Sequence, residues 1–341
     1  GAAVSATTGD PATRVVFDRT KPVLSNVSIA ALTNADPAWA TDGDVVTLTF
    51  ESSEEILTPT VTFQGNPATG ITNDGNEWTA TYDLTDAVAG LINFSIGVQD
   101  LSGNEGTTAT ASSDGTSVTY NPTTPTLNPV SISSNNTLET SRAKVGDIVT
   151  LLFTASEPIG TPTVELPAGN TNGVAITNLS GNDWRATYTM TSGDTEGEIG
   201  FNISFSDLAG NGNDAESVTD LTSVRFDRTP PVLETVSIAS DNPLDGQRAR
   251  VDDEVTLSFT ASEGLRGVTA QIGGKAASLT PSNGGKDWAA TYTLTSTDTE
   301  GELPIHITYQ DSTGNAGAAV SATTGDPATR VVFDRTKPVL S

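Results

Sequence analysis

Asp44-Val45-Val46-Thr47-Leu48-Thr49-Phe50 decides the fold of this chain. Val46, Leu48 and Phe50 alternate with polar neighbours, the period of two that marks a strand with one buried face. The stretch returns as Asp147-Ile148-Val149-Thr150-Leu151-Leu152-Phe153 and as Asp253-Glu254-Val255-Thr256-Leu257-Ser258-Phe259. Around each copy the same landmarks follow in the same order. Trp78, Ala80, Tyr82 and Leu84 alternate, matched by Trp184, Ala186, Tyr188 and Met190, then by Trp288, Ala290, Tyr292 and Leu294. Phe94, Ile96 and Val98 correspond to Phe201, Ile203 and Phe205 and to Ile305, Ile307 and Tyr309. Val27 with Ile29 predicts a strand before this series, and Val61 with Phe63 another within it. Weaker runs near Ile71 and from Thr108 to Tyr120 bring the total to seven strands. The three recurring tryptophans are expected to anchor cores.

Each set opens on an aromatic residue and a Thr/Pro-rich step. The openings are Phe17-Asp18-Arg19-Thr20-Lys21-Pro22, Tyr120-Asn121-Pro122-Thr123-Thr124-Pro125, Phe226-Asp227-Arg228-Thr229-Pro230-Pro231 and Phe333-Asp334. The spacings of 103, 106 and 107 residues match the size of an immunoglobulin-like domain. The expectation is an all-β tandem array of three seven-stranded immunoglobulin-like β-sandwich domains, at 17–120, 121–226 and 227–333. At a larger scale, Gly1–Ser25 recurs letter for letter as Gly317–Ser341, a period of 316 residues. Repetition of that length points to an array that works by reach and number. Residues 1–16 are then the orphan last strand of a preceding repeat, mobile or docked on a neighbour, and 334–341 start the next one.

Composition narrows the function. The 341 residues include no Cys and one His, and 42 acidic against 16 basic residues give a net charge of -26. No basic stripe is present to neutralise phosphates, which disfavours nucleic acid and an anionic membrane surface. No apolar run reaches the length of a membrane-spanning helix. Catalysis is disfavoured too: His306 alternates to the outer face of its strand with no nucleophile assigned to it, and Glu54-Glu55 is a run of acids rather than a placed pair.

Strand directions bring the carboxylates together. In a seven-stranded sandwich the corner after the second strand, the turn after the sixth and the incoming linker share one pole. The corners carry Glu54, Glu157 and Glu263. The turns read Asp-x-x-Gly-Asn, from Asp100 to Asn104, Asp207 to Asn211 and Asp311 to Asn315. The linkers supply Asp18, Asn121, Asp227 and Asp334. From the sandwich before, the loop after the first strand offers Asp36, Glu139 or Asp245, and the loop after the fifth offers Asp194 with Glu196 or Asp298 with Glu300. Four carboxylates about 5 Å apart repel one another by about 5 kcal/mol in water. An oxygen-rich cage without sulfur or imidazole suits Ca2+ rather than zinc or copper. Every one of these motifs also has a plain reading: Asp-x-x-Gly-Asn is a good tight turn, and the strand-opening Asp44, Asp147 and Asp253 are read as turn or edge residues. Asn121 replaces a linker Asp, and Asp86-Ala87-Val88-Ala89-Gly90 lacks the Glu of the later loops. Weaker calcium binding and more bending are therefore expected between the first and second sandwiches.

The Phe-Asp-x-Thr-x-Pro opening, the Ala-Ser-Glu corner and the Asp-x-x-Gly-Asn turn together resemble bacterial Ig-like extender domains of giant repetitive surface adhesins, including those of the RTX type. The resemblance covers all three repeats. It implies an extracellular stalk at the bacterial cell surface whose linkers bind calcium and become rigid, holding a distal binding region away from the cell. Its partners would be neighbouring repeats of a monomeric segment. Asn121 departs from the pattern, and the Gly-rich nonapeptide of RTX toxins is absent. The alternative is a glycan- or surface-binding module acting through avidity. Trp39 is its candidate contact, expected in the loop after the first strand, where the other repeats have Arg142 and Arg248.

Overall fold

The computed structural model describes residues 17–85, 87–325 and 329–337. The expected orphan strand at 1–16 and the last four residues lie outside them. The described chain is all-β apart from one short 3-10 turn, Asn283–Gly285.

In the first sandwich the strands are β1 (Leu24–Ala31), β2 (Trp39–Ala40), β3 (Val45–Ser52), β4 (Thr60–Phe63), β5 (Asn66–Pro67), β6 (Gly70–Asp74), β7 (Glu77–Asp83), β8 (Gly90–Leu91), β9 (Phe94–Gly97) and β10 (Thr119–Tyr120). One face is the antiparallel sheet β1-β3-β7-β6. The other combines β5-β4-β9 with β2-β10-β8. These orders give the two-sheet, immunoglobulin-like arrangement. The pairing follows the alternation in the sequence. Phe50 stands opposite Trp78, Leu48 opposite Ala80 and Val46 opposite Tyr82, so the inward residues of both strands meet on one face. Phe63 closes the core from the facing sheet, its ring stacked on Tyr82 at 5.3 Å. The four-stranded sheet and the short three-stranded sheet recur twice in the remainder of the chain. The sheet equivalent to β5-β4-β9 recurs once, as Lys275–Ala276, Arg266–Ile272 and Ile305–Gln310, whereas the other copy runs Thr163–Glu165, Asn202–Ser206 and Gly212–Ala215. Trp78 and Trp184 are buried. Trp288 is half-buried against its core, with Nε1 donating to the Gly285 carbonyl at 2.7 Å.

The structure corrects two expectations. The run from Thr108 to Tyr120 is not one strand. It touches β9 at a single bridge, Ala109 to Ile96, and becomes ladder only at β10. Between them Asp114 accepts from the Thr116 amide and hydroxyl, and Gly115 takes φ +80°. That turn carries the chain across to β1, where Thr116 Oγ1 accepts from the Ile29 amide. Trp39, expected in a loop, lies in β2 and pairs in parallel with Thr119. The first-strand segment thus crosses from one sheet to the other.

The described residues form two compact units. One runs through Leu127 and adds Ala155–Thr163 and Ile203–Ala215; the other takes Asn128–Thr154, Val164–Asn202 and the chain from Glu216 onward. Phe17 is 85% exposed, whereas its counterparts Tyr120, Phe226 and Phe333 are buried. Those three sit in short strands with a neighbour on each side; Phe17 is in no strand among the described residues.

Candidate metal centre

Three elements converge on each pole. In the first sandwich one carboxylate oxygen from each of Asp18, Glu54 and Asp100 lies within 4.8 Å of the others. In the third, Asp227, Glu263 and Asp311 do the same. The Asp of the turn is held by its own loop. Asp100 Oδ1 accepts from the amides of Ser102 and Asn104, at 2.9 and 2.7 Å. Asp311 Oδ1 accepts from Thr313, Gly314 and Asn315. Both aspartates are buried. The Asp-x-x-Gly-Asn motif is therefore a turn and a fixed carboxylate at once.

The motif's Asn ties the turn to the linker. Asn104 Nδ2 donates to Asp100 Oδ2 at 2.7 Å and to the Asp18 carbonyl at 3.3 Å. Asn211 and Asn315 repeat this with Asp207 and the Asn121 carbonyl, and with Asp311 and the Asp227 carbonyl. In each case the amide nitrogen faces the carboxylate and positions it.

The middle pole differs by one group. Asn121 Nδ2 donates to Glu157 Oε2 at 2.6 Å and to Asp207 Oδ2 at 2.9 Å. A neutral amide donor stands where the other two sites have a third carboxylate. Glu157 and Asp207 are thereby satisfied inside the protein, whereas Glu54 Oε1 is buried with no hydrogen-bond partner.

Within the two three-carboxylate cradles the electrostatics are repulsive. Burial raises the Glu54 carboxyl above its ordinary pKa, and the charges of Asp18 and Asp100 push it the same way. Glu263 is raised by burial, then by Asp311 and Asp227. Asp227 is raised by burial and by Asp311 and Glu196, against the Thr229 amide. For Asp100 burial also acts upward, but hydrogen bonds from Asn104, Ser102 and Gly103 outweigh it and the net direction is down. Raised acids in contact with a fixed anion are the signature of a cradle lacking positive charge.

The loops before each linker divide their work. Glu196 Oε1 accepts from the Arg228 amide and the Thr229 hydroxyl, and Glu300 Oε1 does the same for Arg335 and Thr336. They clamp the linker just after its Asp. Asp194 and Asp298 instead turn inward to accept from Tyr188 and Tyr292 and from their own Thr191 and Thr295 amides. Asp36 and Asp245 accept from backbone amides of their own turns, and Glu139 pairs with Arg142 at 3.3 Å. Asp334 accepts from the Thr336 amide at 2.8 Å.

One recurring group escaped the sequence reading. Asn34, Asn136 and Asn242 each donate to the strand-opening aspartate, at 2.9, 2.7 and 2.9 Å to Asp44, Asp147 and Asp253. Their signal was an Asn ten or eleven residues before that Asp in all three repeats. His306 Nδ1 lies 3.2 Å from Ser321 Oγ, a serine that sequence reasoning did not pair with it. Among the described residues no carboxylate hydrogen-bonds the ring.

No family model and no curated protein matches the chain. Among solved structures it is similar to the I9-I11 tandem from titin, at 10% identity over 86% of this chain and 94% of that one, TM-score 0.30. The fibronectin(III)-like modules of Clostridium thermocellum CbhA align at 15% identity over 60% and 93%, TM-score 0.28. The ICAM-5 D1-D4 ectodomain fragment aligns at 13% identity over 92% and 77%, TM-score 0.31. The immunoglobulin-like assignment follows from the chain's own strand pairing. No helix among the described residues is long and apolar enough to cross a membrane.

Proposed function

We propose that this chain is a structural extender segment of a bacterial cell-surface adhesin, a stalk stiffened by calcium at its linkers that projects a distal binding region. The observation that carries the reading is the pair of three-carboxylate cradles at Asp18 and Asp227, each joining an incoming linker to the sandwich it enters. The donor set fits the ion. It is all oxygen, one of its atoms in the first cradle is buried without a partner, and calcium accepts carboxylates together with water. Asp18, Glu54 and Asp100 would hold one ion, and Asp227, Glu263 and Asp311 another; Asn104 and Asn315 orient their aspartates. When bound, the cation supplies the positive charge that the raised carboxyls lack. Small-angle scattering with calcium and with chelator, paired with thermal melting, tests the proposal. A longer, more heat-resistant particle in calcium is expected; identical curves in both conditions would end it.

A further inference from the structure

Within the first compact unit, Asn34 Nδ2 donates one hydrogen to Asp44 and the other to the Ala209 carbonyl, at 2.7 Å. Within the second, Asn136 Nδ2 does the same with Asp147 and the Thr313 carbonyl, at 2.9 Å. Ala209 and Thr313 hold the same place, third in their Asp-x-x-Gly-Asn turns. Two neighbours reinforce the latch at Thr313. Lys144 Nζ donates to the Gly314 carbonyl at 2.8 Å, and Leu138 Cδ1 packs so closely on Gly314 that an added Cβ would sit 3.2 Å from it.

The third sandwich carries the same equipment, and among the described residues no Asp-x-x-Gly-Asn turn lies against it; Arg250 Nε stays 3.4 Å from Asp253 Oδ1. Asn242 is oriented by Asp253, and among the described residues its amide has no second acceptor. Leu244, the counterpart of Leu138, is 92% exposed where Leu138 is 44% exposed. Arg250, the counterpart of Lys144, has a side chain 69% exposed. The linker beyond is already seated as its counterparts are: the Asp227 amide donates to Ala143 and the Asp334 amide to Ala249, both at 2.9 Å.

We propose that Asn242, Leu244 and Arg250 form a docking site for the Asp100–Asn104 turn of a second copy of this chain's first sandwich, with Asn242 donating to the Ser102 carbonyl. Ser102 is third in that turn, as Ala209 and Thr313 are in theirs. The occupant is fixed by the letter-for-letter recurrence of Gly1–Ser25 at Gly317–Ser341: the sequence leading out of the third sandwich is the one that leads into the first. Amide, carbonyl and apolar contacts with one basic side chain make this latch, so it needs no metal ion and stands apart from the calcium reading.

The test appends residues 26–120 to the full chain, which rebuilds the first sandwich behind its own linker. A photo-activated cross-linking side chain replaces Leu244, and a parallel protein carries it at Leu138. The probe at 244 is expected to mark residues 101–103 of the second copy, equally in calcium and in chelator. Marking elsewhere, or none, while the probe at 138 marks Thr313–Gly314, overturns the proposal. Leu244→Ser gives an independent readout. It should leave the melting of the 341-residue chain unchanged and shift that of the extended chain downward; the same response in both would also overturn it.

Discussion

Asn121 and Asp227 differ by one terminal group and reverse the electrostatics of their poles. Asp227 adds an anion to Glu263 and Asp311; Asn121 gives hydrogen bonds to Glu157 and Asp207. Hydrogen bonds to charged acceptors contribute about 1.5–3 kcal/mol each, so the amide does internally what a cation would do elsewhere. Asn121→Asp should therefore create a third calcium site, seen as one added equivalent in isothermal titration. In chelator the same substitution should lower the melting temperature, because two donors become one more anion. A second prediction concerns Tyr120, whose hydroxyl donates to Asp42 and whose pKa is pushed up to about 12 by that hydrogen bond, by burial and by the Asp42 charge. The unfolded phenol ionises near 10. Between those values the unfolded chain has lost its proton and the folded chain has kept it, so stability falls as pH rises through that window. Asp42→Ala should bring the phenolate absorbance change to lower pH and weaken the alkaline destabilisation assigned to this residue.

The elements show which parts of the fold could be read from the chain alone. β3 and β7 were legible because each buries alternate side chains against one core, and their counterparts repeat that alternation, with Trp288 and Tyr292 only half-buried. β2 was not, and β10 was legible only as the end of a run expected to be one long strand. Two-residue strands leave no period, and their pairing depends on a turn at Asp114 and on partners about 80 residues away. The site divides along the same line. Glu54, Asp100 and Asp18 could be brought together from strand directions and recurring motifs. The Asn34-type latch could not, because a lone Asn in a polar loop carries no chemistry until its acceptor is in place. Close approach of backbone to backbone was equally hidden. Gly106 lies under the incoming linker, and an added Cβ would come 2.5 Å from the Pro22 carbonyl oxygen and 2.6 Å from Val98 Cγ2. Gly106 is fixed against Val98, since its amide donates to the Val98 carbonyl at 3.0 Å. Gly106→Ala should therefore destabilise the first sandwich by about 1–3 kcal/mol, the range for overpacking, measured by denaturant unfolding. A neutral result would mean that the linker lifts away without cost.

At the scale of the whole molecule the three poles form a pattern: two cradles of three carboxylates, and between them in sequence one cradle completed by an amide. A ligand stabilises only the state that binds it, by about 2.7 kcal/mol when its concentration is 100 times the dissociation constant. For a domain of 60–100 residues each kcal/mol moves the melting point by roughly 4–8 °C, so a bound sandwich should gain on the order of ten degrees or more. Calcium should then raise the stability of the first and third sandwiches and leave the second nearly unchanged. Hydrogen exchange followed peptide by peptide during heating separates the three. Protection around Glu54 and Glu263 should drop on chelation, while that around Glu157 should persist. Equal losses at all three would show that the carboxylates act through net charge alone, since a chain of charge -26 attracts counterions everywhere. Unequal losses in the predicted order would tie the effect of calcium to the cradles, because net charge does not distinguish Asn121 from its two counterparts.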